Sequence, residues 1–495
     1  MRANELPTWL VVESMHRFHP ALRGLALALA IYIASPAQAQ SKDTLHLTVQ
    51  AAVAQALTSS DEVRISQAQV SLAEAQVVAA RATGFPQARL TSTYTHAYEN
   101  ARAQAVGSVF NQPNTYNTSV NFSQSIFQGG RIVAARRVAE DARGAARFDE
   151  REVRARVSVD AQRAYLQALY TRQVAALQDT NLALVSARLA QIEQLERAGR
   201  AARYDVLRAR VDRANIEPLL IQARSDRDIA LLELKRQLNI PLAQPLVLTS
   251  TIDGTSLRGL VATLVDTSAS PDRPTLRSAE LTLRAREEAV TIARADYFPS
   301  LALSLQSGFQ AFPPPGSSQR WNRLGIPAGL GSVETQFCAD PAATRGCQNG
   351  GWFSDRTLLA TVTWPLFDGL RTHGNIQVAR AQAQIAELQL RQQREVVALD
   401  VARTRSELAR SLAVFEARRQ NAAEAAEAFQ LASLRFSTGL STQLEVSDAQ
   451  LSMLNAQSGA IRSVYDLYLA ATDLARALGQ PVPTPPVLPG SGAEE

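Results

Sequence analysis

Two stretches of more than sixty residues carry no proline and repeat apolar residues at helical spacing throughout. The first runs from residue 131 to about residue 197, and the second from residue 371 to about residue 435. At a rise of 1.5 Å per residue, each predicts a helix roughly 100 Å long. Because such a helix does not fit inside an ordinary globular domain, the pattern predicts coiled-coil packing in an elongated body.

The two stretches belong to an internal repeat of very large period. The sequence FP at residues 85–86 returns at residues 298–299, an offset of 213 residues. The sequence FQGGR at residues 127–131 returns as FDGLR at residues 367–371, an offset of 240 residues. The second copy therefore carries an insertion between its two landmarks, and the chain is predicted to fold as two copies of one plan.

Between these landmarks the pattern changes from helical spacing to alternation of apolar and polar residues. Residues 301–309 and 358–366 alternate clearly, and residues 88–98 and 117–127 alternate more weakly. Each segment has the roughly 10 residues that a tilted strand needs to cross a bilayer. An edge hairpin packed on a soluble helical bundle is the alternative. Four strands cannot close a membrane barrel, which needs at least about eight, so a membrane protein with this sequence must oligomerise.

The N-terminus has the features of an export signal. Two arginines precede an apolar run at residues 24–34, which ends in AQA at residues 37–39. This pattern predicts cleavage before Gln40, with either Met1 or Met15 as the start. An uncleaved anchor is the alternative. Beyond the signal no run of 18 apolar residues occurs, so strands are expected to do any membrane spanning.

The remaining composition argues against several classes of function. The net charge is +5, but the arginines alternate with acidic residues, which argues against nucleic-acid binding. The sequence has no HExxH, GxSxG or P-loop pattern, so we expect no enzyme, cofactor or metal site. Cys338 and Cys347, the only cysteines, share one Gly/Pro-rich loop of an exported chain. Their position predicts a local disulfide.

The order helix, FP, strand, loop, strand, glycine turn, long helix, tight turn and helix is written twice. It resembles the TolC-like outer-membrane efflux proteins over nearly the whole mature chain, most specifically at residues 126–131, 365–369 and 436–450. The resemblance implies a mainly α-helical homotrimer with a twelve-stranded β-barrel in outer-membrane lipid and a coiled-coil tunnel in the periplasm. It also implies a periplasmic membrane-fusion adaptor and an inner-membrane pump or secretion ATPase as partners.

This resemblance predicts an organisation into five parts. They are a signal peptide at 1–39, a first repeat at 40–241, an inter-repeat equatorial segment at 242–271, a second repeat at 272–481 and a flexible tail at 482–495. The implied function is the exit duct of an efflux or type I secretion system. A periplasmic adaptor or a structural coiled-coil protein is the alternative. The cargo, which could be a drug, a metal ion, a dye or a protein, is left open.

The turns that follow the long helices are predicted to form the tip farthest from the strands. Gly199 and Gly439 suit the left-handed conformation that ends a helix. Leu440 is an apolar residue beside a glycine, and Thr442 follows it. These four residues are predicted to dock the helical hairpins of an adaptor.

Acidic residues follow the tip at the start of the next helix. Glu445 and Asp448 lie three residues apart and therefore share a helix face, and a trimer would present two rings of three carboxylates. Such rings attract cations. Ordinary first-turn helix charge is the alternative. The resemblance implies that both are gating carboxylates and that Asp205 is their counterpart in the first repeat.

The resemblance also reveals a departure at the tip. Some family members hold the tip closed with a Tyr and an Arg, and Phe436 and Ser441 occupy those places here. Phe436 lacks the hydroxyl and Ser441 lacks the charge. Arg200 and Arg203, beside the first turn, are the candidates for another closed-state tether.

Overall fold

The computed structural model describes residues 44–99, 101, 104, 114–250, 261, 273–311 and 352–480. Cys338 and Cys347 lie outside these residues, as do the predicted signal peptide and C-terminal tail and most of the inter-repeat segment. In chain order the elements are β1 (Leu45–Leu47), α1 (Val49–Ser59), α2 (Asp61–Ala82), β2 (Gln87–His96), β3 (Asn114–Gln128), α3 (Arg131–Arg197), α4 (Arg203–Gln237), β4 (Leu246–Leu248), α5 (Pro274–Arg294), β5 (Ser300–Ala311), β6 (Trp352–Thr363), α6 (Arg371–Ser437) and α7 (Gln443–Leu478).

The two predicted long helices are confirmed. Helices α3 and α6 each contain 67 residues and begin at the arginine of the FQGGR or FDGLR sequence. Each continues through a short turn into an antiparallel partner, α4 or α7, and the two form a hairpin. Small buried residues such as Ala161, Ala168 and Ala471 lie along the packed faces. They allow the helices to approach closely over their whole length.

The four alternating segments form one antiparallel sheet in the order β2-β3-β5-β6. Phe122 pairs with Leu305, which pairs in turn with Leu358. Directly opposed residues share a face, so these apolar side chains form a row, and all three are exposed in the single chain. Strand β6 ends at Thr363 rather than at residue 366. Pro365 explains the difference because it has no N–H to donate to a ladder.

Aromatic residues mark both ends of the apolar face. Tyr94 pairs with Tyr116, and their ring centroids are 4.8 Å apart. At the other end the indole N–H of Trp364 donates to the carbonyl oxygen of Tyr297 at 3.1 Å. Aromatic rings at the two margins of an apolar strand face are typical of residues at lipid–water interfaces.

Among the described helices, none is both long and apolar enough to cross a membrane.

A small parallel sheet lies beside the middle of the long helices. Strand β1, near the start of the first repeat, pairs with β4, which follows the last helix of that repeat. The hydroxyl of Tyr165 on α3 donates to the carbonyl oxygen of Leu47 at 2.7 Å and accepts from the N–H of Ser250 at 3.2 Å. Burial raises the pKa of the Tyr165 phenol above its ordinary value. This sheet was not predicted, because three-residue strands show no measurable period.

An ionic cluster centred on the buried Arg273 joins four helices near the start of α5. The guanidinium of Arg273 contacts the carboxylates of Asp400 at 2.8 Å and Glu152 at 3.1 Å. Arg476 lies 3.8 Å from both carboxylates. The Arg273 side chain is only 7% exposed. The cluster therefore ties α3, α6 and α7 to the segment that leads from the first repeat into the second.

Replacing Arg273 with methionine should lower the stability of the helical body by about 3 kcal/mol, because two carboxylates would be left with one distant partner. The measurement is the midpoint of thermal unfolding, followed by far-ultraviolet circular dichroism. Arg391→Met is the matched control, since Arg391 is 65% exposed and lies 4.0 Å from Glu387. Equal midpoints for the two variants would contradict a structural role for the cluster.

Candidate functional site

The turn between α6 and α7 closes as the sequence predicts. Gly439 has a φ of 80°, its N–H donates to the carbonyl oxygen of Phe436 at 3.0 Å, and the N–H of Leu440 donates to that of Arg435 at 2.8 Å. These two bonds define a Schellman motif. The first turn repeats both bonds around Gly199, whose φ is 71°. Glycine is needed at both positions because other residues rarely adopt these angles.

The acidic side chains that follow the second turn differ in their contacts. The hydroxyl of Thr442 accepts from the N–H of Glu445 at 3.3 Å and so caps α7. The Glu445 carboxylate accepts from the hydroxyl of Ser441 at 2.7 Å and lies 3.9 Å from the guanidinium of Arg435. Asp448 is exposed, and no ion pair in the described part of the chain includes it. Glu445 is thus held by its own turn, whereas Asp448 faces solvent.

The predicted residues of the first turn also form local contacts. Asp205 accepts from the N–H of Ala202 at 3.2 Å and caps α4. Arg203 contacts Glu196 at 3.4 Å within the same hairpin. Arg200 is exposed, without an ion pair among the described residues. In this single chain, none of these side chains bonds to the second hairpin in the regions that the structure describes.

The two hairpins are joined instead by an arginine that the sequence analysis did not identify. Arg188 on α3 donates from Nε and Nη2 to the side-chain oxygen of Gln443, at 3.0 and 2.8 Å. Its guanidinium also lies over the ring of Phe436, 4.4 Å from the centroid. Burial lowers the pKa of Arg188 from its ordinary value, and an arginine so perturbed stays charged at neutral pH. Phe436 therefore takes part in a contact through its ring rather than through a hydroxyl.

Two further polar contacts connect the hairpins near Arg188. The side-chain amide of Gln450 donates to that of Asn181 at 3.1 Å, and both residues are buried. The hydroxyl of Ser447 donates to the carboxylate of Asp212 at 3.1 Å. Together with the Arg188 contacts, these bonds fix the first two turns of α7 against α3 and α4. We call these contacts, made by Arg188, Gln450 and Ser447, the hairpin latch.

The sequence itself places the chain in a family. The family profile described as outer membrane efflux protein matches residues 52–239 and 267–480. The chain belongs to this family. A comparison with curated protein sequences gives no match.

Solved structures share the fold of this outer membrane efflux protein. A membrane protein from Pseudomonas aeruginosa is 22% identical, with a TM-score of 0.68, and the match covers 87% of this chain and 92% of that one. For VceC from Vibrio cholerae the identity is 20%, the TM-score 0.68, and the coverage 87% and 96%. For MtrE of Neisseria gonorrhoeae, solved in its open state, the identity is 18%, the TM-score 0.66, and the coverage 87% and 89%.

Membership of the family confirms several of the predictions. The protein is an outer-membrane efflux channel with its helical body in the periplasm. Its fold is mainly α-helical with membrane β-strands, as expected. Channels of this family are trimers that act with adaptors and inner-membrane pumps, and they are ducts rather than enzymes. The alternatives of an adaptor or a structural coiled-coil protein are thereby set aside.

Proposed function

We propose that this outer membrane efflux protein is the exit duct of a tripartite efflux or type I secretion system. It conducts passively the cargo that an inner-membrane transporter and a periplasmic adaptor deliver. The observation that carries the proposal is the polarity of the chain, which has an exposed apolar sheet at one end and two glycine turns on long hairpins at the other. The two ranges matched by the family profile support the division into repeats at 40–241 and 272–481.

The adaptor is proposed to dock at the tip formed by Gly199, Gly439, Leu440 and Thr442. Leu440 is 72% exposed. A side chain added at Gly199 or Gly439 would have no described neighbour within 4 Å. An apolar residue between open glycine surfaces suits the grooves of a packed helical hairpin.

Cysteine cross-linking in membranes tests this polarity. In a chain whose Cys338 and Cys347 are replaced by serine, Leu440→Cys should cross-link to the adaptor encoded with the pump. Leu242→Cys, also well exposed at 60%, is the matched control near the middle of the body and should not react. Reaction at residue 242 without reaction at residue 440 would mean that the adaptor binds elsewhere.

The pore entrance is proposed to contain Glu445 and Asp448, with Asp205 as their counterpart in the first repeat. Glu445 and Asp448 are exposed and Asp205 is partly exposed, all near helix starts beside the tip, which supports this assignment. Three protomers would bring six carboxylates of the second repeat to one opening, where they would favour cations. Arg200 and Arg203 are exposed and are proposed to pair across protomers when the tip is closed.

The closed tip of each protomer is proposed to be held by the hairpin latch. Widening the entrance requires the second hairpin to move away from the first, and Arg188 contacts both helices of the second hairpin. A charged group with two hydrogen bonds and an aromatic partner has to lose all of them when the hairpins separate. The latch therefore favours the closed arrangement without the tyrosine and arginine that other family members use.

A further inference from the structure

At the base of the sheet, the glycine turn of the first repeat contacts the FP turn of the second. The equivalent contact, of the second glycine turn with the first FP turn, is not made among the described residues of one chain. The first of these contacts is tight. A side chain at Gly129 would lie 2.6 Å from the carbonyl oxygen of Ala295 and 2.9 Å from Cβ of Phe298. Gly369 is the repeat counterpart of Gly129, with φ values of 68° and 59°. A side chain at Gly369 would meet no atom of the described residues within 4 Å.

The helices show the same asymmetry. Helix α5 packs against both α3 and α6. Among the described elements, its repeat counterpart α2 packs extensively only against α3. The outer face of α2 carries exposed apolar residues one heptad apart, of which Ile65 is 58% and Leu72 60% exposed. Helix α6, the counterpart of α3, has Val378 58% and Ile385 54% exposed. Each uncovered face is thus the repeat equivalent of a face that is covered inside the chain.

The ends of the sheet agree with this pattern. Strands β2 and β6 are its outer strands, so in the described residues each has one unpaired edge. Strand β2 follows the FP turn of the first repeat, and β6 leads to the glycine turn of the second. If the β6 of a second copy paired with the β2 of the first copy, two turns would become neighbours. The second-repeat glycine turn of the second copy would lie next to the first-repeat FP turn of the first copy.

One residue in the uncovered glycine turn is unexpected on conformational grounds. Leu370 has a φ of 68°, whereas Gly130 occupies the equivalent place in the first repeat with a φ of 86°. The only other non-glycine residue with positive φ in the described regions is Asn239, a residue type that tolerates this conformation. Leucine does not, and its side chain is 70% exposed. Among the described residues, burial of the Leu370 side chain does not offset this strain.

A largely apolar cavity, suited to an apolar side chain such as that of Leu370, lies beside the FP turn of the first repeat. It has a volume of about 420 Å³ and lies between the end of α2 and the start of α3. Phe85, Ile132 and Val133 supply apolar surface, and Arg81 and Arg136 lie at its margin. Both arginines contact Glu140, at 2.7 and 3.2 Å, so their charges are paired rather than free beside the cavity.

We propose that Leu370 of one protomer inserts into this cavity of the next protomer. The cavity is closed only when the protomers assemble into a ring. Contact with the neighbouring protomer then offsets the free-energy cost of the left-handed backbone conformation at Leu370. This contact between protomers is equivalent to the contact of Gly129 with Phe298 within one chain. It differs in that the side chain of Leu370 is added. This inference rests on the proposed trimeric duct and specifies which residues join its protomers below the barrel.

Photo-cross-linking of the full-length protein in the outer membrane tests the contact. With p-benzoylphenylalanine at position 370, irradiation should give covalent dimers and trimers that survive boiling. Mass spectrometry should map the adduct to residues 80–85 or 132–136 of the second chain. The same amino acid at position 440, an equally exposed leucine at the tip, should not reach these peptides. Adducts only within one chain, or to other peptides of the neighbour, would overturn the inference.

A substitution separates assembly from folding. Leu370→Gly restores the residue of the first repeat and relieves the backbone strain, so the helical circular dichroism should be unchanged. The trimer band in unboiled detergent gels should be lost at a temperature at which the wild-type trimer persists. Leu440→Gly is the matched control and should keep the wild-type temperature. A Leu370→Gly trimer at least as heat-resistant as wild type would refute the insertion, whereas a wild-type chain that forms no trimer would refute the proposed duct itself.

Discussion

Replacing Arg188 with alanine should raise the single-channel conductance of the purified trimer severalfold, without preventing its assembly. The substitution removes two charge-assisted hydrogen bonds to Gln443 and the contact with the Phe436 ring. Together these are worth on the order of 3 kcal/mol per protomer. Since about 1.4 kcal/mol changes an equilibrium tenfold, their loss would greatly increase the fraction of separated hairpins. The measurement is conductance in planar bilayers.

Two further variants show whether this change comes from the latch. Phe436→Leu removes the aromatic ring but leaves Gln443 in place, so its conductance should lie between those of wild type and Arg188→Ala. Arg210 pairs with Glu193 at 2.8 Å within the first hairpin only. Arg210→Ala therefore removes an ion pair from the same tip without releasing the second hairpin, and its conductance should stay at the wild-type value. If Arg188→Ala and Phe436→Leu both conduct like wild type, the latch does not hold the entrance closed.

The latch could not have been predicted from the sequence, whereas the helices that carry it could. Helices α3 and α6 follow from an uninterrupted apolar period that no proline breaks. The four membrane strands could be predicted from the alternation of apolar and polar residues. The end of β6 instead depends on Pro365, which has no backbone N–H to donate. The contact of Arg188 with Gln443 joins residues 255 positions apart. Arginine is frequent along these helices, and nothing local separates Arg188 from its solvent-exposed neighbours.

The local chemistry of the tip was easier to predict. The positive φ values of Gly199 and Gly439 follow from the need to end one helix and begin another within a few residues. The cap formed by Thr442 was not predicted, although a hydroxyl placed three residues before Glu445 is a capping pattern. The short sheet of β1 and β4 was missed, because its pairing depends on burial against Tyr165 rather than on any pattern in its own six residues.

Neutralising both acidic residues at the start of α7 should abolish most of the cation selectivity of the channel. The variant is Glu445→Gln with Asp448→Asn, and the measurement is the reversal potential under a salt gradient. In a trimer the six carboxylates would share a narrow entrance, where mutual repulsion is relieved by bound cations. Block by divalent cations should weaken in parallel. Folding should be little affected, because glutamine can still accept from Ser441 and the Thr442 cap remains.

The single substitutions should not be equal. Glu445 lies 3.9 Å from Arg435, whose positive charge offsets part of its field even at an exposed position. Asp448 has no such neighbour in the described structure, so Asp448→Asn should shift the reversal potential more than Glu445→Gln does. Asp226→Asn, on the exposed face of α4 away from the tip, is the control for a general loss of negative charge. A reversal potential that follows the number of charges removed, whatever their position, would mean that the two carboxylates only begin a helix and do not line the pore.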